Sequence, residues 1–409
     1  MNVGVMVSGQ TPQAGGGYTF EDEILQAFYR LSAESSHCFH LVGHAPVRPA
    51  HLDFTGLPWL SLHRTRAERR RLKLSRARNW LRRKLRLATP ARKLDLEAYP
   101  DFRTQPVDLL CYLTPLVRPI ADIPYITNVW DVEHRLQPFF PEVSLHGEWE
   151  SRERRCRAIF QRATYVLTPN SRGKEELVGY FGLAPERVRV FPHPTPEFAR
   201  KEAGRPHDAR SLAHLGVTGD FLFYPAQFWA HKNHFTLLLA LRRLKERHGQ
   251  SVQLVLTGSD KGNRAFIERR VREIGLERDV IFAGFVSRED LTALYRQARA
   301  LVYPSFCGPE NLPPLEAFAL GCPVIASDIP GARVQLGDAA MLVEAGNADA
   351  WADAMARVGE DAAWRGMLIE RGHQRAELYT ADHFVRDLFR LFDEFEIYRR
   401  TWPMADDAR

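Results

Sequence analysis

Two successive series of short apolar runs, each run set off from the next by a polar or amphipathic stretch, restrict what this chain can fold into. The first series is VGVMVS (3–8), FHLVGH (39–44), VDLLCYL (107–113), YITNVW (125–130) and YVLTPN (165–170). The second is DFLFYPAQ (220–227), VQLVLTG (252–258), VIFAGF (280–285), ALVYPS (300–305), PVIAS (323–327) and AMLVEAG (340–346). The runs are continuous rather than alternating, which suits strands covered on both faces. Between them lie helical patterns, such as the one that sets Ile24, Leu25, Phe28 and Leu31 on one face. Strands alternating with helices predict parallel α/β sheets. A chain of 409 residues exceeds one ordinary core, so two series predict two domains.

The polar, proline-containing stretch PTPEFARKEAGRPHDARSLAHLG (194–216) separates the two series. The expected organisation is an amino-terminal domain over 1–198, a linker over 199–215 and a carboxyl-terminal domain over 216–380. A last amphipathic helix over about 381–403 is expected to pack back on the first domain. Open α/β sheets bind ligands outside the carboxyl ends of their strands, so two such domains predict a cleft between those ends. That alone assigns no function.

No run of about 18 apolar residues occurs, so no membrane-spanning helix is expected. The opening MNVGVMVSGQ lacks a basic n-region and reads as a first strand rather than a signal peptide. The five cysteines are scattered and odd in number, without metal spacing, which predicts a reduced, cytoplasmic protein with no structural zinc. The net charge of +6 is uneven: residues 64–93 carry fourteen Lys or Arg against Glu68, a local +13, leaving −7 elsewhere. Within that segment Ala77, Trp80, Leu81, Leu85 and Ala88 follow helical spacing. A basic amphipathic helix with a Trp suits an anionic membrane surface, giving a peripheral attachment at the inner face of the plasma membrane. The same pattern also suits a solvated helix packed on its own domain; no nucleic-acid module is recognisable and no nucleic acid is expected as a partner.

The stretch GPENLPPLEAFALGCPVIASDIPG (308–331) places a turn-rich loop before a helix and a buried strand. Free amides at a helix N-terminus favour an anionic or hydroxyl-rich ligand. Glu316 reads either as an acceptor for a vicinal diol or as a complement to the helix dipole. After the first strand, Gly15, Gly16 and Gly17 are expected to form a loop, which would let the backbone approach a phosphate.

These motifs carry a resemblance. The segments PENLPPLEAFALGCPVIASDIPGARVQLGDAAMLVEAGN, YPAQFWAHKNH, VLTGSDKG and VIFAGFVSREDLTALYRQARALVYPS resemble, in order over most of 160–380, the nucleotide-sugar half of glycosyltransferase family 4. The first half resembles it more loosely, through GGGYTFEDEIL and NVWDVEHRLQPFFPE. The resemblance implies the GT-B fold, two Rossmann-like doubly wound domains facing each other across a cleft. Glu316 matches the second glutamate of the family's E-x7-E signature and implies contact with a donor ribose. The first falls on Gly308, a departure, with Glu310 two residues on as a candidate substitute. The backbone amides of Asn311 and Leu312 are suited to sugar hydroxyls or phosphate. Lys232 matches a lysine that holds the diphosphate, while the companion arginine position is Gln227, leaving His231 to compensate. Gly258 and Ser259 match a phosphate-side loop, Val286 a base-reading segment, and Gly16 and Gly17 the amino-terminal glycine loop. Asp131 matches the aspartate of a His-Asp pair whose histidine position is Trp130, with His134 as the nearest replacement.

The implied reaction is retaining transfer of a hexosyl group, mannosyl or rhamnosyl favoured, from a nucleotide diphosphate sugar to a glycan or lipid-linked acceptor in cell-surface polysaccharide assembly. Its catalytic residues would be Asp131, His134, Lys232 and Glu310. No cofactor is implied, and no metal: the chain has no D-x-D sequence, which a hard divalent cation at a diphosphate would favour. Alternatives left open are a nucleotide-sugar epimerase on the same fold and a catalytically weak nucleotide-binding subunit. A Rossmann oxidoreductase is poorly supported, because no clean G-x-G-x-x-G follows the first strand.

Overall fold

A computed structural model describes residues 1–10, 15–49, 52, 54–62, 107–115, 123–205, 211–308 and 310–402. The basic segment 64–93 lies outside the described residues. Among the described residues, no helix is long and apolar enough to cross a membrane.

All eleven apolar runs contain a strand. The first sheet has seven strands: β1 (Asn2–Met6), β2 (Cys38–Gly43), β3 (Trp59–Ser61), β4 (Leu109–Pro115), β5 (Tyr125–Asn128), β6 (Tyr165–Thr168) and β7 (Val188–Val190). Their spatial order is β3-β2-β1-β4-β5-β6-β7. The strands β3 and β7 are additions to the sequence reading. Each is three residues long, too short for an apolar run to register. The second sheet has six strands: β8 (Phe221–Pro225), β9 (Gln253–Thr257), β10 (Val280–Gly284), β11 (Ala300–Tyr303), β12 (Val324–Ser327) and β13 (Ala340–Val343), in the order β10-β9-β8-β11-β12-β13. The pairings β1–β2, β1–β4, β8–β9, β8–β11 and β11–β12 are all parallel. Both sheets wind outward in two directions from a central first strand, so each has its topological switch beside that strand: between β1 and β4, and between β8 and β11.

By contacts the chain divides into one unit of 1–129, 155–167 and 385–409 and another of 130–154 and 168–384. The stretch expected as a linker, 199–215, takes in most of the helix Glu197–Ala203 and, among the described residues, the 3-10 turn Ala213–Leu215, both counted to the second unit.

In the first unit, the end of the helix Ala381–Arg399 joins an aromatic cluster. Phe28 lies edge-on to Phe39 at 4.6 Å and to Phe389 at 5.5 Å, and Phe39 stacks on Phe389 at 5.5 Å. Phe392 is fully buried. Arg399 Nε donates to Asp108 Oδ1 at 2.7 Å, and Asp108 Oδ2 accepts from the Asn2 amide at 2.8 Å, so polar contacts fix the helix end next to β1. The second unit's core is built on the β8–β11 strands and the helix His234–His248, with Trp351 fully buried.

Phe392→Ala removes a fully buried ring and is expected to cost about 3–5 kcal/mol, read as a lower urea midpoint at unchanged slope.

Candidate functional site

Because the second sheet is parallel, the chain leaves the carboxyl ends of β8, β9, β10 and β11 on one edge. That edge gathers Gln227, His231 and Lys232 after β8, Gly258 and Ser259 after β9, Val286 after β10, and the 304–311 loop after β11. Lys232 and this loop flank the switch between β8 and β11, where open sheets form crevices.

Asn233 holds the two loops together. It opens the helix His234–His248 with φ +56°, in the left-handed region that few residues other than glycine occupy. From there its Nδ2 donates to the carbonyls of Pro304 at 3.0 Å and Ala345 at 2.8 Å, and its Oδ1 accepts from Thr236 Oγ1 at 2.7 Å. The preceding Lys232 is thereby aimed along the edge. Its Nζ donates to Tyr303 Oη at 3.0 Å and approaches Asn311 Oδ1 at 3.4 Å, while its own carbonyl accepts from Tyr224 at 2.6 Å. Burial pulls the ammonium pKa down, but the neighbouring Tyr303 hydroxyl and negative charge, including Asp131, outweigh it, and the net shift is upward. Lys232 is a fixed cation.

Around it, Tyr303, Ser305, Gly308, Asn311, Ser327 and Gln335 line a small pocket at the N-terminus of the helix Leu312–Ala319. At the β9 end, Ser259 Oγ is buried without a hydrogen-bond partner among the described residues. Gly258 has φ +129°, and a Cβ there would lie 2.4 Å from the Ala226 carbonyl oxygen, so this turn admits only glycine. Val286 packs against the core.

The other residues singled out in the sequence take the following places. Glu316 does not open its helix: it is the fifth residue of Leu312–Ala319, buried, and its Oε2 accepts a hydrogen bond from Tyr295. Burial raises its pKa, only partly offset by Tyr295 and Arg288. The Asn311 amide is not open; it donates to Gln335 Oε1 at 3.0 Å, and Gln335 Nε2 returns a bond to the Asn311 carbonyl at 2.8 Å. Leu312 is the first helical residue and is buried. Glu310 turns to the His193 amide at 2.7 Å, and burial pushes its carboxyl up to about 8. Gln227 accepts from Trp229 Nε1 at 3.1 Å. His134 is buried with Nε2 at 3.2 Å from Glu153, which also takes a two-pronged bond from Arg135, so its ring is part of an ion-pair knot. In the first unit, Gly16 and Gly17 are not loop residues. They open the helix Gly16–Leu31, and Gly15 precedes it at φ +75°.

The segment 130–154 brings acids to the β11 loop. Asp131 Oδ1 accepts from the Glu133 amide at 3.0 Å and lies within electrostatic reach of His231 and Lys232. Glu142 accepts from the His231 amide at 2.9 Å and pairs with its Nδ1. Burial raises the Glu142 carboxyl, but those bonds win and hold it below its usual range. Glu133 accepts at Oε1 from the Gly308 amide at 3.3 Å. Sequence reasoning passed over Glu133 and Glu142. Neither sits at a position the family motif marks, and their partners lie more than 80 residues away.

Residues 214–375 match the family model described as glycosyl transferases group 1. Among curated relatives, the O-antigen chain mannosyltransferase B of Escherichia coli is 30% identical over 164 residues, 39% of this chain and 42% of that protein. The O-antigen chain mannosyltransferase RfbU of Salmonella typhimurium is 25% identical over 238 residues, 58% of this chain and 62% of that protein. Neither match reaches two thirds of the relative's length. The crystal structure of Anabaena HepE in complex with UDP superposes with a TM-score of 0.64 over 96% of this chain and all of that one, at 16% identity. Over 214–375 the resemblance read from the motifs holds as one to glycosyl transferases group 1, and the two doubly wound parallel sheets are those of the GT-B fold.

Glu310 supplies a pH test. With its pKa raised from 4.5 to about 8, the folded state binds more protons than the unfolded chain between those values, so its contribution falls as pH rises through that window. Glu310→Gln keeps an acceptor for His193 and removes this loss. The Tm difference, variant minus parent, is expected to grow from pH 5 to pH 8 and then level off.

Proposed function

We propose that this protein is a glycosyltransferase that moves a hexosyl group, mannosyl or rhamnosyl favoured, from a nucleotide diphosphate sugar to a glycan or lipid-linked saccharide in polysaccharide assembly. The observation that carries the reading is the fixed cation Lys232, set at the β8–β11 switch beside the N-terminus of the Leu312–Ala319 helix. An ammonium and a helix dipole on one lip suit a diphosphate. Relatives named as O-antigen mannosyltransferases support the hexosyl choice, and a neighbour of like fold solved with UDP supports a nucleotide donor.

In this reading Lys232 and the helix end stabilise negative charge on the leaving nucleoside diphosphate as the sugar centre becomes oxocarbenium-like. The acceptor hydroxyl enters on the face the diphosphate leaves, and a departing phosphate oxygen takes its proton. The outcome is retention, without a metal or other cofactor. The Ser259 hydroxyl, buried without a partner among the described residues, donates to a phosphate oxygen in this reading, and Lys232 stays charged through Tyr303 first and Asp131 to a lesser degree. The acceptor lies at an anionic membrane surface if residues 64–93 bind one, a point that vesicle co-sedimentation tests.

A thermal-shift panel of UDP, GDP, dTDP, CDP and ADP tests the donor site. One nucleotide, at about 100 times its Kd, is expected to stabilise the protein by roughly 2.7 kcal/mol. Lys232→Ala is expected to weaken that nucleotide by at least about tenfold, the loss of one charge-assisted contact. No shift with any of the five, nor with their hexose conjugates, would sink the reading.

A further inference from the structure

The donor lip lacks a side-chain carboxylate at position 308, yet a carboxylate stands against that position. Gly308 has φ +108°, a backbone conformation that side chains rarely adopt, and a Cβ there would come within 2.8 Å of the Asn311 side chain, so a glutamate at this position would strain the loop in this shape. Glu310, the nearest acid in sequence, is spent on the His193 amide. Glu133 instead reaches the loop from the short helix Glu133–Leu136, with Oε1 accepting from the Gly308 amide at 3.3 Å.

The rest of Glu133 is unusual for a structural carboxylate. The residue is about nine-tenths buried at 9% exposure, and its Oε2 has no hydrogen-bond partner among the described residues. A buried carboxylate oxygen without a donor is costly and calls for an explanation. Arg152 is the only cation among the charges that chiefly act on Glu133, the others being Asp131 and Glu176. Cys307, adjacent to Gly308, also feels it. A neutral hydroxyl donor fits such a position better than a second anion.

On the donor-site reading above, we propose that Glu133 is the carboxylate of the lip: Oε1 fixes the 308 turn, and Oε2 accepts a hydrogen bond from a hydroxyl of the hexosyl group. It thus does from another segment what position 308 cannot. Burial and Asp131 push its carboxyl up to about 7, so its ionisation falls within the working pH range.

The test compares GDP with GDP-mannose, UDP with UDP-glucose, and dTDP with dTDP-rhamnose by calorimetry on the parent protein, Glu133→Gln and Glu133→Asp. In the parent, the conjugate of the preferred nucleotide is expected to bind at least fivefold tighter than the bare diphosphate. Glu133→Gln should keep the diphosphate Kd within twofold and lose most of that increment. Glu133→Asp, one methylene shorter but still anionic, should lose part of it and serves alone should the amide variant not fold. The parent's increment should grow from pH 6 to pH 8 and be flat in Glu133→Gln; a profile that persists there would assign the effect to Asp131 or Glu176 and overturn the proposal. It is also overturned if the increment survives both substitutions, if diphosphate and conjugate weaken together, or if the parent shows no increment at all. Failure of the donor-site reading looks different, since then the parent binds none of the six ligands, nor CDP, ADP or their hexose conjugates.

Discussion

The edge of the second sheet is organised by one side chain. Asn233 adopts a left-handed backbone and spends its amide on the carbonyls of Pro304 and Ala345, which belong to the loops after β11 and β13. Aspartate could supply the acceptor for Thr236 but not the two donors, and glycine could take the backbone angle but none of the bonds. The direction of Lys232, one residue earlier, follows from this anchor. So does the height of the 304–308 loop, whose Phe306 amide donates to the His231 carbonyl at 2.9 Å. A cation held this way loses little freedom on meeting an anion, and pre-organisation of that sort is what separates a phosphate site from a surface lysine.

Much of this was legible in the residues. Eleven apolar runs gave eleven strands because parallel strands covered on both faces must be apolar throughout. Lys232, Gly258 and Ser259 were read from the resemblance to the family's motifs, and they lie in the turns that follow β8 and β9. What the sequence did not convey falls into two kinds. Short edge strands such as β3 and β7 have too few residues to form a pattern. Pairings between distant segments, among them Glu133 with Gly308, Glu142 with His231 and Glu310 with His193, depend on how loops lie, and no local spacing encodes that. The position of Glu316 shows the same limit at smaller scale. Glu316 was read as a complement to the helix dipole or an acceptor for a diol, but the helix begins four residues earlier and the side chain faces Tyr295.

The acids near the site divide by environment. Glu142 gains two bonds from His231 and stays ionised, while Glu133 and Glu310 are pushed upward by burial. Carboxyl groups set at different pKa values by their surroundings let one small region hold both an anion and a proton donor near neutrality.

The turn at Gly308 couples three positions, 308, 311 and 133. A residue in the left-handed region beside Asn311 suits glycine, and a side chain there strains the backbone. A new glutamate at 308 would bring strain to the turn and a second negative charge against Glu133, so it improves nothing until residue 133 or 311 has also changed. Substitutions at 308, 311 and 133 share contacts, so their effects on stability are not expected to add.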